Sequence, residues 1–358
     1  MKSIISFFLR VLLWTLSPLS YIYQLLFFVD RKRANAQKLG SCLVISVGNL
    51  TMGGTGKTPF VQYLIKIINE KFPNYQITVL SRGYKALHSK DGAIVKVDSL
   101  PNEVGDEPLL HKITHPNVKV IIGKNRIESF KKFNQIDDKK HIVILDDGFQ
   151  HHKLKRDFDI VLIDTSDPEG NGFTIPLGTL REKKTSLLRA DLVVFTKVND
   201  ANISNAKTFE SSVKKINPKL LCFYSTFNAS KKLIFGEVQK LNKLNIITGV
   251  GNPNSVLASA LETFGDMEMN LITFPDHYAY TDDELISLTS NLKDGEVIVT
   301  TEKDWVKWKS LHKFIEIFKN LKYTLFVLKI NMELNEEEKL KRLLDSLVSN
   351  YEKEISQV

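Results

Sequence analysis

Short apolar segments alternate with amphipathic segments along most of this chain. From residue 42 onward, the apolar runs have the length of buried strands and occur at 42–47, 77–80, 118–122, 142–145, 160–163 and 192–196. Apolar residues at helical spacing follow Lys57 and recur around 125–133 and 203–216. Alternation of buried strands with helices is typical of a parallel sheet with crossover helices, so the pattern predicts an α/β fold.

A second series of the same kind begins after residue 243. Residues 221–243 read as two short strands with loops and predict a connector. Beyond it, strands are predicted at 245–248, 269–274, 297–300 and 323–330, and helices at 253–264, 282–292 and 336–348. We therefore expect two α/β domains with a cleft between them, over residues 34–225 and 244–358, joined by a β linker at 226–243.

The first 33 residues have a different pattern. Residues 4–29 are apolar apart from Arg10 and a few uncharged polar residues, and the basic run Arg31-Lys32-Arg33 follows at once. Residues 11–29 are just long enough to cross a bilayer, but Pro18 lies in their middle. Three interpretations remain open: a membrane span, a helix lying in the membrane interface, and a buried helix that caps a domain. We favour the interfacial anchor, because aromatic residues and cations accompany the apolar segment.

The most specific motif joins the first predicted strand to the first predicted helix. Residues 44–58 read VISVGNLTMGGTGKT, and a glycine-rich loop in this position points backbone N–H groups at a phosphate chain. Lys57 can reach the β- and γ-phosphates, and the Thr58 hydroxyl can hold Mg²⁺. Thr51 replaces the first glycine of the general pattern. The predicted nucleotide-binding residues, called the phosphate loop below, are Thr51, Met52, Gly53, Gly54, Thr55, Gly56, Lys57 and Thr58.

Two carboxylates, Asp146 and Asp147, follow the apolar run at 142–145. Acidic side chains at the carboxyl end of a strand beside a phosphate loop are placed to bind Mg²⁺, directly or through water. Because side chains alternate along a strand, these two carboxylates face different ways. The sequence leaves open which of them meets the metal.

Several other polar groups lie in loops of the predicted sheet. Asp106 and Glu107 read as a turn before a proline, and residues 180–184 read as a solvated charged surface run. Loops at the carboxyl ends of strands are where α/β sheets carry functional residues. The candidates near such loops are Arg82 and Tyr84, Gln150 and His151, the stretch 274–278 and the stretch 301–304.

The composition narrows the partners. The formal charge of +8 suits a polyanion such as a nucleotide, a phosphorylated lipid, an anionic membrane face or nucleic acid, without choosing among them. Cys42 and Cys222 are the two cysteines, and they lack zinc-site spacing. We therefore expect a reducing compartment and no disulfide framework.

Two classes of nucleotide switch share parts of these motifs. The phosphate loop looks like that of the ParA/MinD-type ATPases, some of which bind membranes, but Met52 stands where that class carries a signature lysine. A GTPase would use a Thr/Asn-Lys-x-Asp motif to recognise guanine. The chain offers Thr196-Lys197-Val198-Asn199, with Asn199 in place of the guanine-binding aspartate. Both departures count against a switch protein.

The sequence closely resembles the tetraacyldisaccharide 4'-kinases, the lipid A 4'-kinases of Gram-negative bacteria. The resemblance covers nearly the whole chain, and its blocks occur in the family's order and spacing. They lie at 47–51, 53–59, 81–84, 104–108, 146–151, 176–182, 249–253, 275–277 and 301–304. The family's Pro-Ala-Gly-Pro-Leu-Arg-Glu stretch reads Pro-Leu-Gly-Thr-Leu-Arg-Glu here, which keeps Arg181 and Glu182.

The resemblance implies an ATP-dependent kinase that phosphorylates the 4'-hydroxyl of tetraacyldisaccharide 1-phosphate, giving lipid IVA in lipid A biosynthesis. It also implies a P-loop NTPase-like α/β/α domain, a smaller α/β/α domain, a β linker and an N-terminal membrane-associating helix over residues 1–33. The expected partners are ATP, Mg²⁺, an acylated glucosamine disaccharide phosphate lipid and the cytoplasmic face of the inner membrane. We expect neither a nucleic-acid partner nor an obligate protein partner.

The resemblance further implies roles for individual residues. Asp106 is expected to be the catalytic base, with His277 close by to orient it, and Lys57 to hold the phosphates. Asp106 and His277 would meet only when the two domains close, and this closure would also exclude water. Residues expected at the metal are Thr58, Asp146, Asp147 and Glu182, and those expected near the nucleotide or the sugar phosphate are Arg82, Tyr84, Gln150 and His151.

Overall fold

The computed structural model describes residues 2–134, 140–237, 241–290, 292–293 and 295–357, with side chains described from residue 18 onward. The described strands form one sheet of 12, in the order β10-β9-β11-β12-β8-β7-β6-β1-β5-β2-β4-β3. Their bounds are β1 (Leu43–Asn49), β2 (Gln76–Ser81), β3 (Ala93–Val95), β4 (Lys119–Ile122), β5 (His141–Asp146), β6 (Phe158–Asp164), β7 (Leu192–Thr196), β8 (Leu221–Phe235), β9 (Lys243–Thr248), β10 (Glu268–Thr273), β11 (Glu296–Thr301) and β12 (Leu325–Leu334).

Helices connect these strands, as the alternating pattern predicts. They are α1 (Lys2–Arg33), α2 (Lys57–Lys71), α3 (Pro101–Val104), α4 (Asp106–Thr114), α5 (Arg126–Phe133), α6 (Ile203–Ile216), α7 (Pro253–Phe264), α8 (Asp282–Thr289), α9 (Glu302–Trp308), α10 (His312–Asn320) and α11 (Glu337–Ser356). Short 3-10 helices occur at Leu87–Ser89 and Lys184–Arg189. The α/β prediction is confirmed. Position 291 of the predicted helix 282–292 lies outside the described residues.

The strand order places a switch point at β1. This strand pairs in parallel with β5 on one side and with β6 on the other. The chain leaves β1 through α2 and returns at β2, which lies beyond β5. Crevices for ligands form at such points, outside the carboxyl ends of the strands. The phosphate loop leaves β1 at this edge, and the register pair Val47 and Asp146 brings the end of β5 beside it.

One long strand joins the two halves of the sheet. β8 pairs in parallel with β7 through Leu221–Tyr224, and from Ser225 to Phe235 it pairs antiparallel with β12. The prediction of two short strands here is therefore wrong. Polar residues such as Asn228 and Lys231 resemble a loop in the sequence, but they lie on a partly exposed ribbon where a strand tolerates them. Residues 238–240 of the predicted linker lie outside the described residues.

The core of the first half (β1–β7) forms mainly around α2. This helix buries Phe60, Val61, Leu64, Ile65 and Ile68 against the sheet, which confirms the helical spacing that predicted it. The C-terminal helix α11 packs on the same cluster through apolar residues that include Leu340, Leu344 and Val348. The last element of the chain thus returns to the first half of the sheet.

The helix α1 contacts the rest of the protein with polar groups along part of its length. Ser20 Oγ donates to the Thr174 carbonyl at 2.8 Å, and Gln24 Nε2 donates to Thr174 Oγ1 at 2.8 Å. Its other side exposes large apolar side chains, namely Leu19, Tyr21, Ile22, Leu25, Leu26 and Phe28. Within the residues that the structure describes, no helix has the length and apolarity needed to cross a bilayer.

Candidate active site

Hydrogen bonds hold the phosphate loop from one side, and two of its glycines face open space. The Met52 N–H donates to the Thr179 carbonyl at 2.6 Å, and Asn49 Nδ2 donates to the Thr51 carbonyl at 2.7 Å and to Thr55 Oγ1 at 3.0 Å. A Cβ added at Gly53 or Gly54 would meet no protein atom within 4 Å. A loop that is braced behind and open in front can receive a phosphate chain on its N–H groups.

The segment after β7 provides a second brace. Thr196 Oγ1 donates to the Thr55 carbonyl at 2.9 Å, and Lys197 Nζ donates to the Gly54 carbonyl at 2.7 Å. The Asn199 side-chain oxygen accepts hydrogen bonds from the backbone N–H groups of Ala201 and Asn202, both at 3.1 Å. This segment therefore supports the phosphate loop, while the Asn199 oxygen is engaged in a local turn rather than presented to a base.

Asp147 lies against the cations of the phosphate loop. Arg181 Nη1 is 2.8 Å from each Asp147 carboxylate oxygen, and Lys57 Nζ is 3.6 Å from Oδ1. Burial alone would raise the pKa of Asp147, but Lys57 and Arg181 outweigh it and lower the pKa to about 2. Residues 180–184 are thus not a simple solvated run, since Arg181 reaches into the site.

Asp146 has the opposite electrostatic environment. Its side chain is 5 % exposed at the end of β5 and accepts a hydrogen bond from Ser81 Oγ at 3.2 Å. Burial, reinforced by Glu107 and Asp147, raises the pKa of Asp146 to about 6. Arg126 Nη2 donates to the carbonyl groups of Asp146 and Asp147 at 3.0 and 3.2 Å, which fixes the turn between the two carboxylates. The two side chains therefore differ in environment, but strand alternation is not the reason, because Asp147 lies beyond the end of β5 with a positive φ of 51°.

These groups fit a Mg²⁺ ion that is completed by phosphate and water. Among the residues described, no three His, Cys, Asp or Glu side chains are grouped as a metal site. Mg²⁺ is commonly bound through one or two carboxylates plus substrate phosphates and water, so such a group is not required. A buried carboxylate whose pKa is raised, Asp146, gains from a nearby cation. Thr58 is the second residue of α2, where the phosphate loop ends.

Glu182 lies behind the phosphate loop in an ion pair. Arg189 donates to both of its carboxylate oxygens, at 2.8 and 3.0 Å. Gln150 Nε2 joins them, donating to Glu182 Oε1 at 3.0 Å and to the Asn49 carbonyl at 2.9 Å. The structure therefore connects the predicted residues Glu182 and Gln150 to the strand that carries the phosphate loop. Arg189 neutralises the Glu182 charge in this arrangement.

Asp106 and His277 meet across the two halves of the sheet. Asp106 is the first residue of α4, and His277 lies in the loop after β10 with a positive φ of 62°. His277 Nδ1 is 2.9 Å from Asp106 Oδ2. The expected turn at 106–108 is wrong, because these residues form the first turn of a helix that starts directly after Gly105 (φ 90°). A glycine at that φ allows α4 to start at once.

The electrostatics of this pair favour an ionised carboxylate. Burial would raise the pKa of Asp106, but the hydrogen bond with His277 and the nearby Lys303 ammonium lower it to about 2. The same hydrogen bond raises the pKa of His277. The helix that Asp106 starts also reaches the metal candidates, since His111 Nε2 is 3.9 Å from Asp146 Oδ2. The helix α4 therefore carries Asp106 at its start and comes within 3.9 Å of the carboxylate at the end of β5.

The four predicted substrate residues divide into two places. Arg82 and Tyr84 line a recess of about 170 Å³ together with Lys85, Ser89 and Lys124, and the Tyr84 ring lies 5.9 Å from the His277 ring. Gln150 instead contacts the strand that carries the phosphate loop, at the Asn49 carbonyl, and His151 is the next residue in the chain. Burial and the nearby Arg126 lower the pKa of His151 to about 3, so this imidazole is neutral near pH 7.

Three further cations contribute to the site, and the sequence assigned none of them a role. Arg126 follows β4, Arg189 lies in a 3-10 helix and Lys303 lies on α9. Lys303 falls within the stretch 301–304, which was a candidate because it follows a predicted strand and which the family resemblance also covers. Arg126 and Arg189 stand outside the recognised blocks, and their roles follow only from tertiary contacts.

A strand, a glycine-rich loop and a helix in that order, with acidic residues at the end of the adjacent strand, define a P-loop nucleotide-binding protein of the α/β class. The family model described as "Tetraacyldisaccharide-1-P 4'-kinase" matches residues 12–349. The chain belongs to this family.

Individual relatives agree with that assignment. The chain is 45 % identical over 356 residues to the tetraacyldisaccharide 4'-kinase of Leptospira biflexa serovar Patoc, covering 94 % of this chain and 95 % of the relative. It is 32 % identical over 317 residues to the enzyme of that name from Flavobacterium psychrophilum, covering 86 % and 88 %. It also resembles a crystal structure of LpxK from Aquifex aeolicus in complex with ATP, with a TM-score of 0.69 and 29 % identity over 94 % of this chain and 99 % of the other.

Proposed function

We propose that this kinase transfers the γ-phosphoryl group of ATP to the 4'-hydroxyl of a tetraacyldisaccharide 1-phosphate, which gives the bisphosphorylated lipid IVA of lipid A biosynthesis. The observation that carries the proposal is the Asp106–His277 pair, in which Asp106 starts a helix whose His111 comes within 3.9 Å of Asp146. A nucleotide switch needs no base for a second substrate, whereas a sugar kinase does.

In the proposed reaction, the phosphate loop binds the nucleotide. Backbone N–H groups of residues 53–56 would hold the β- and γ-phosphates, and Lys57 would exchange its contact with Asp147, now 3.6 Å away, for a phosphate oxygen. Phosphoryl transfer depends mainly on positioning and charge stabilisation. The braces from Thr196 and Lys197 supply the rigidity that positioning requires.

Thr58, Asp146 and Asp147 would hold Mg²⁺. When bound, this ion would neutralise charge on the phosphate oxygens during transfer. Glu182, already paired with Arg189, would act behind these residues through Gln150.

In the proposed reaction, the Asp106–His277 pair activates the acceptor hydroxyl. The 4'-hydroxyl is a poor nucleophile near pH 7, and an ionised carboxylate within hydrogen-bond reach can accept its proton as the new bond forms. Asp106 is held ionised by His277 and Lys303. His277 fixes the orientation of that carboxylate through the 2.9 Å contact and does not itself need to take the proton.

The lipid acceptor would approach from the side of the 170 Å³ recess and α1. Arg82, Lys85 and Lys124 give that recess a positive charge suited to a sugar phosphate, and Tyr84 lies between it and His277. We further propose that the apolar face of α1 lies in the cytoplasmic face of the inner membrane. The basic run Arg31-Lys32-Arg33 at the end of the helix, and Lys183 over the Tyr21 ring at 5.3 Å, suit an anionic membrane surface.

A product assay tests the proposed function. Purified protein is incubated with ATP, Mg²⁺ and tetraacyldisaccharide 1-phosphate in detergent micelles, and the lipid is examined by mass spectrometry. The mass of one added phosphate is expected, and a substrate whose 4'-hydroxyl is replaced by hydrogen should gain none. A membrane-associated ParA/MinD-like ATPase switch would instead give slow ATP hydrolysis, nucleotide-dependent dimers and an unchanged lipid, and that result would overturn the proposal.

A further inference from the structure

Two ion pairs connect the first turn of α4 to the second half of the sheet. Asp106 contacts His277, and the next residue, Glu107, contacts Lys303, with Lys303 Nζ 2.8 Å from Glu107 Oε1. The side chains of Asp106 and His277 are 10 % and 23 % exposed, and those of Lys303 and Glu107 are 22 % and 34 % exposed, so both pairs are partly shielded from water. The helices α4 and α9 pack against each other at this point. Consecutive residues are thus fixed by partners from two different elements, the loop after β10 and the first turn of α9.

The Lys303 charge is balanced by more than its direct partner. Burial would lower the pKa of Lys303, but Glu107 and Asp106 raise it above its ordinary value. In return, Lys303 helps to lower the pKa of Asp106. Glu107 also acts on Asp146, whose pKa it helps to raise. Without Lys303, the carboxylates of Asp106 and Glu107 would lie next to each other at the start of α4 with one fewer cation.

The base of Lys303 is fixed by its neighbour in the chain. The buried Asp304 carboxylate accepts hydrogen bonds from Thr248 Oγ1 at 2.9 Å, the Gly249 N–H at 3.2 Å, Thr301 Oγ1 at 2.8 Å and Tyr280 Oη at 3.1 Å. Tyr280 is three residues beyond His277. One carboxylate therefore ties together the turn that presents Lys303 and the loop that presents His277.

We propose, on the basis of the proposed function, that Lys303 is a positioning residue for phosphoryl transfer. Through Glu107 it holds the first turn of α4 at a fixed distance from the His277 loop, and so holds the Asp106 carboxylate, whose Oδ1 accepts the Glu107 N–H at 3.0 Å, in position for the acceptor hydroxyl. Two bonds at consecutive residues restrict rotation of this turn, which a single Asp106–His277 contact would permit. Small displacements of a reacting group reduce rates strongly, so the second bond affects turnover.

This role predicts a change in turnover rather than in nucleotide binding. Lys303→Met and Glu107→Gln should each lower kcat by about 10- to 100-fold, because a misplaced base loses part of the advantage of general base catalysis. The KM for ATP should stay within about twofold, since neither residue contacts the phosphate loop. Lys303→Arg keeps a cation that can reach Glu107 and should recover most of the lost kcat.

A double-variant cycle tests the proposal most sharply. If Lys303 acts through Glu107, the Lys303→Met/Glu107→Gln variant should be no slower than the slower single variant. Lys313→Met is the matched control, because Lys313 forms a 2.8 Å ion pair with Asp283 in the same half of the sheet and both side chains are exposed. This control should leave kcat unchanged. Circular dichroism and thermal unfolding of every variant check that the fold is kept.

Each outcome decides between alternatives. Unchanged kcat in Lys303→Met, or losses that multiply in the double variant, would overturn the positioning role. A loss of kcat that Lys303→Arg fails to recover, together with weaker ATP binding, would also overturn it by indicating a direct contact with the nucleotide. Wild-type protein that forms no phosphorylated lipid would overturn the proposed function itself, whereas normal wild-type turnover with an active Lys303→Met variant would overturn only the inference about Lys303.

Discussion

His277 Nδ1 lies 2.9 Å from Asp106 Oδ2, although 171 positions separate the two residues in the chain. Their contact requires both halves of the 12-stranded sheet, because Asp106 starts α4 in the first half and His277 follows β10 in the second. The pair is therefore complete only when the two halves of the sheet are together.

Asp106→Asn tests the base directly. The amide keeps the shape of the side chain but accepts a proton poorly, so kcat should fall by about 10²- to 10⁴-fold. The KM for ATP should change little, because the residue lies outside the phosphate loop. Steady-state kinetics with the lipid acceptor measure both values. An equal loss of ATP affinity would instead assign Asp106 a structural or metal-linked role.

The pH dependence of stability tests the Asp106–His277 pair. The pKa of His277 is raised in the folded protein, so its contribution is fully present below the ordinary value of 6.5 and is lost as the pH rises through the raised value. The pKa of Asp106 is lowered to about 2, so its contribution is present above 3.8 and is lost as the pH falls through about 2. The stability difference between wild type and His277→Asn should therefore be largest between about pH 4 and 6.5.

Thermal unfolding of these two proteins between about pH 4 and 9 measures the difference. It should shrink as the pH is raised above neutrality, when His277 loses its proton. A difference that stays constant between pH 5 and 9 would show that the contact does not depend on the charge of His277.

Alanine substitutions at two glycines of the phosphate loop should have different effects. Gly56→Ala should lower stability, whereas Gly54→Ala should weaken ATP binding. Gly56 has a φ of 82°, and an added Cβ would lie 2.3 Å from the Phe227 ring, so Gly56→Ala should lower the free energy of unfolding by more than about 1 kcal/mol. Gly54→Ala meets open space and should change stability by less than about 0.5 kcal/mol. The methyl group would nevertheless occupy the phosphate position, so ATP binding should weaken. Calorimetric titration of Gly54→Ala with ATP measures this affinity. If the variant binds ATP as tightly as the wild type does, the phosphates lie elsewhere.

Asp146→Asn should stabilise the nucleotide-free protein at neutral pH while abolishing activity. The pKa of Asp146 is raised to about 6 from 3.8, so the folded state binds more protons between these values and becomes more stable as the pH falls through about 6. Above pH 6 the wild type carries a buried charge that costs about 2–3 kcal/mol, which the amide avoids.

Denaturant unfolding in the presence of a chelator checks this expectation. The advantage of Asp146→Asn should be greatest near pH 8 and should decline toward pH 4. A variant that is less stable than wild type at pH 8 would mean that the ionised carboxylate already has a compensating partner in the folded protein.

The exposed face of α1 should carry the membrane affinity. Leu25 and Leu26 are 61 % and 65 % exposed, and replacing both with glutamate should reduce sedimentation with anionic phospholipid vesicles at least several-fold. Leu321→Glu is the matched control, since Leu321 is 50 % exposed at the end of α10 and should not affect binding. Equal sedimentation of the double variant and wild type would contradict the assignment of this face to the membrane.

The sequence predicted best those features that depend on neighbouring residues. The phosphate loop and α2 follow from glycine spacing and helical periodicity, and the place of Asp146 at the end of β5 follows from the apolar run that precedes it. The start of α4 at Asp106 was missed because the sequence Asp-Glu-Pro is common both in loop turns and in the first turn of a helix.

Features that depend on the whole sheet could not be predicted from local pattern. The continuity of β8 was missed because its polar residues resemble a loop, and that strand sets how the two halves meet. The contacts of Lys303 with Glu107 and of Arg181 with Asp147 arise only from this arrangement. Asp106 and His277 were anticipated as partners through the family resemblance, whereas their 2.9 Å contact could be established only in three dimensions.

The most direct test of the account follows the terminal phosphate of ATP. Protein supplied with γ-labelled ATP, Mg²⁺ and tetraacyldisaccharide 1-phosphate should place nearly all of the released label on the lipid and little in inorganic phosphate. Lys57→Ala and Asp106→Asn should place almost none there. The contrary result is label that appears only as inorganic phosphate, at a rate that does not depend on the lipid and is unchanged in Asp106→Asn. That result would contradict a base that activates a sugar hydroxyl.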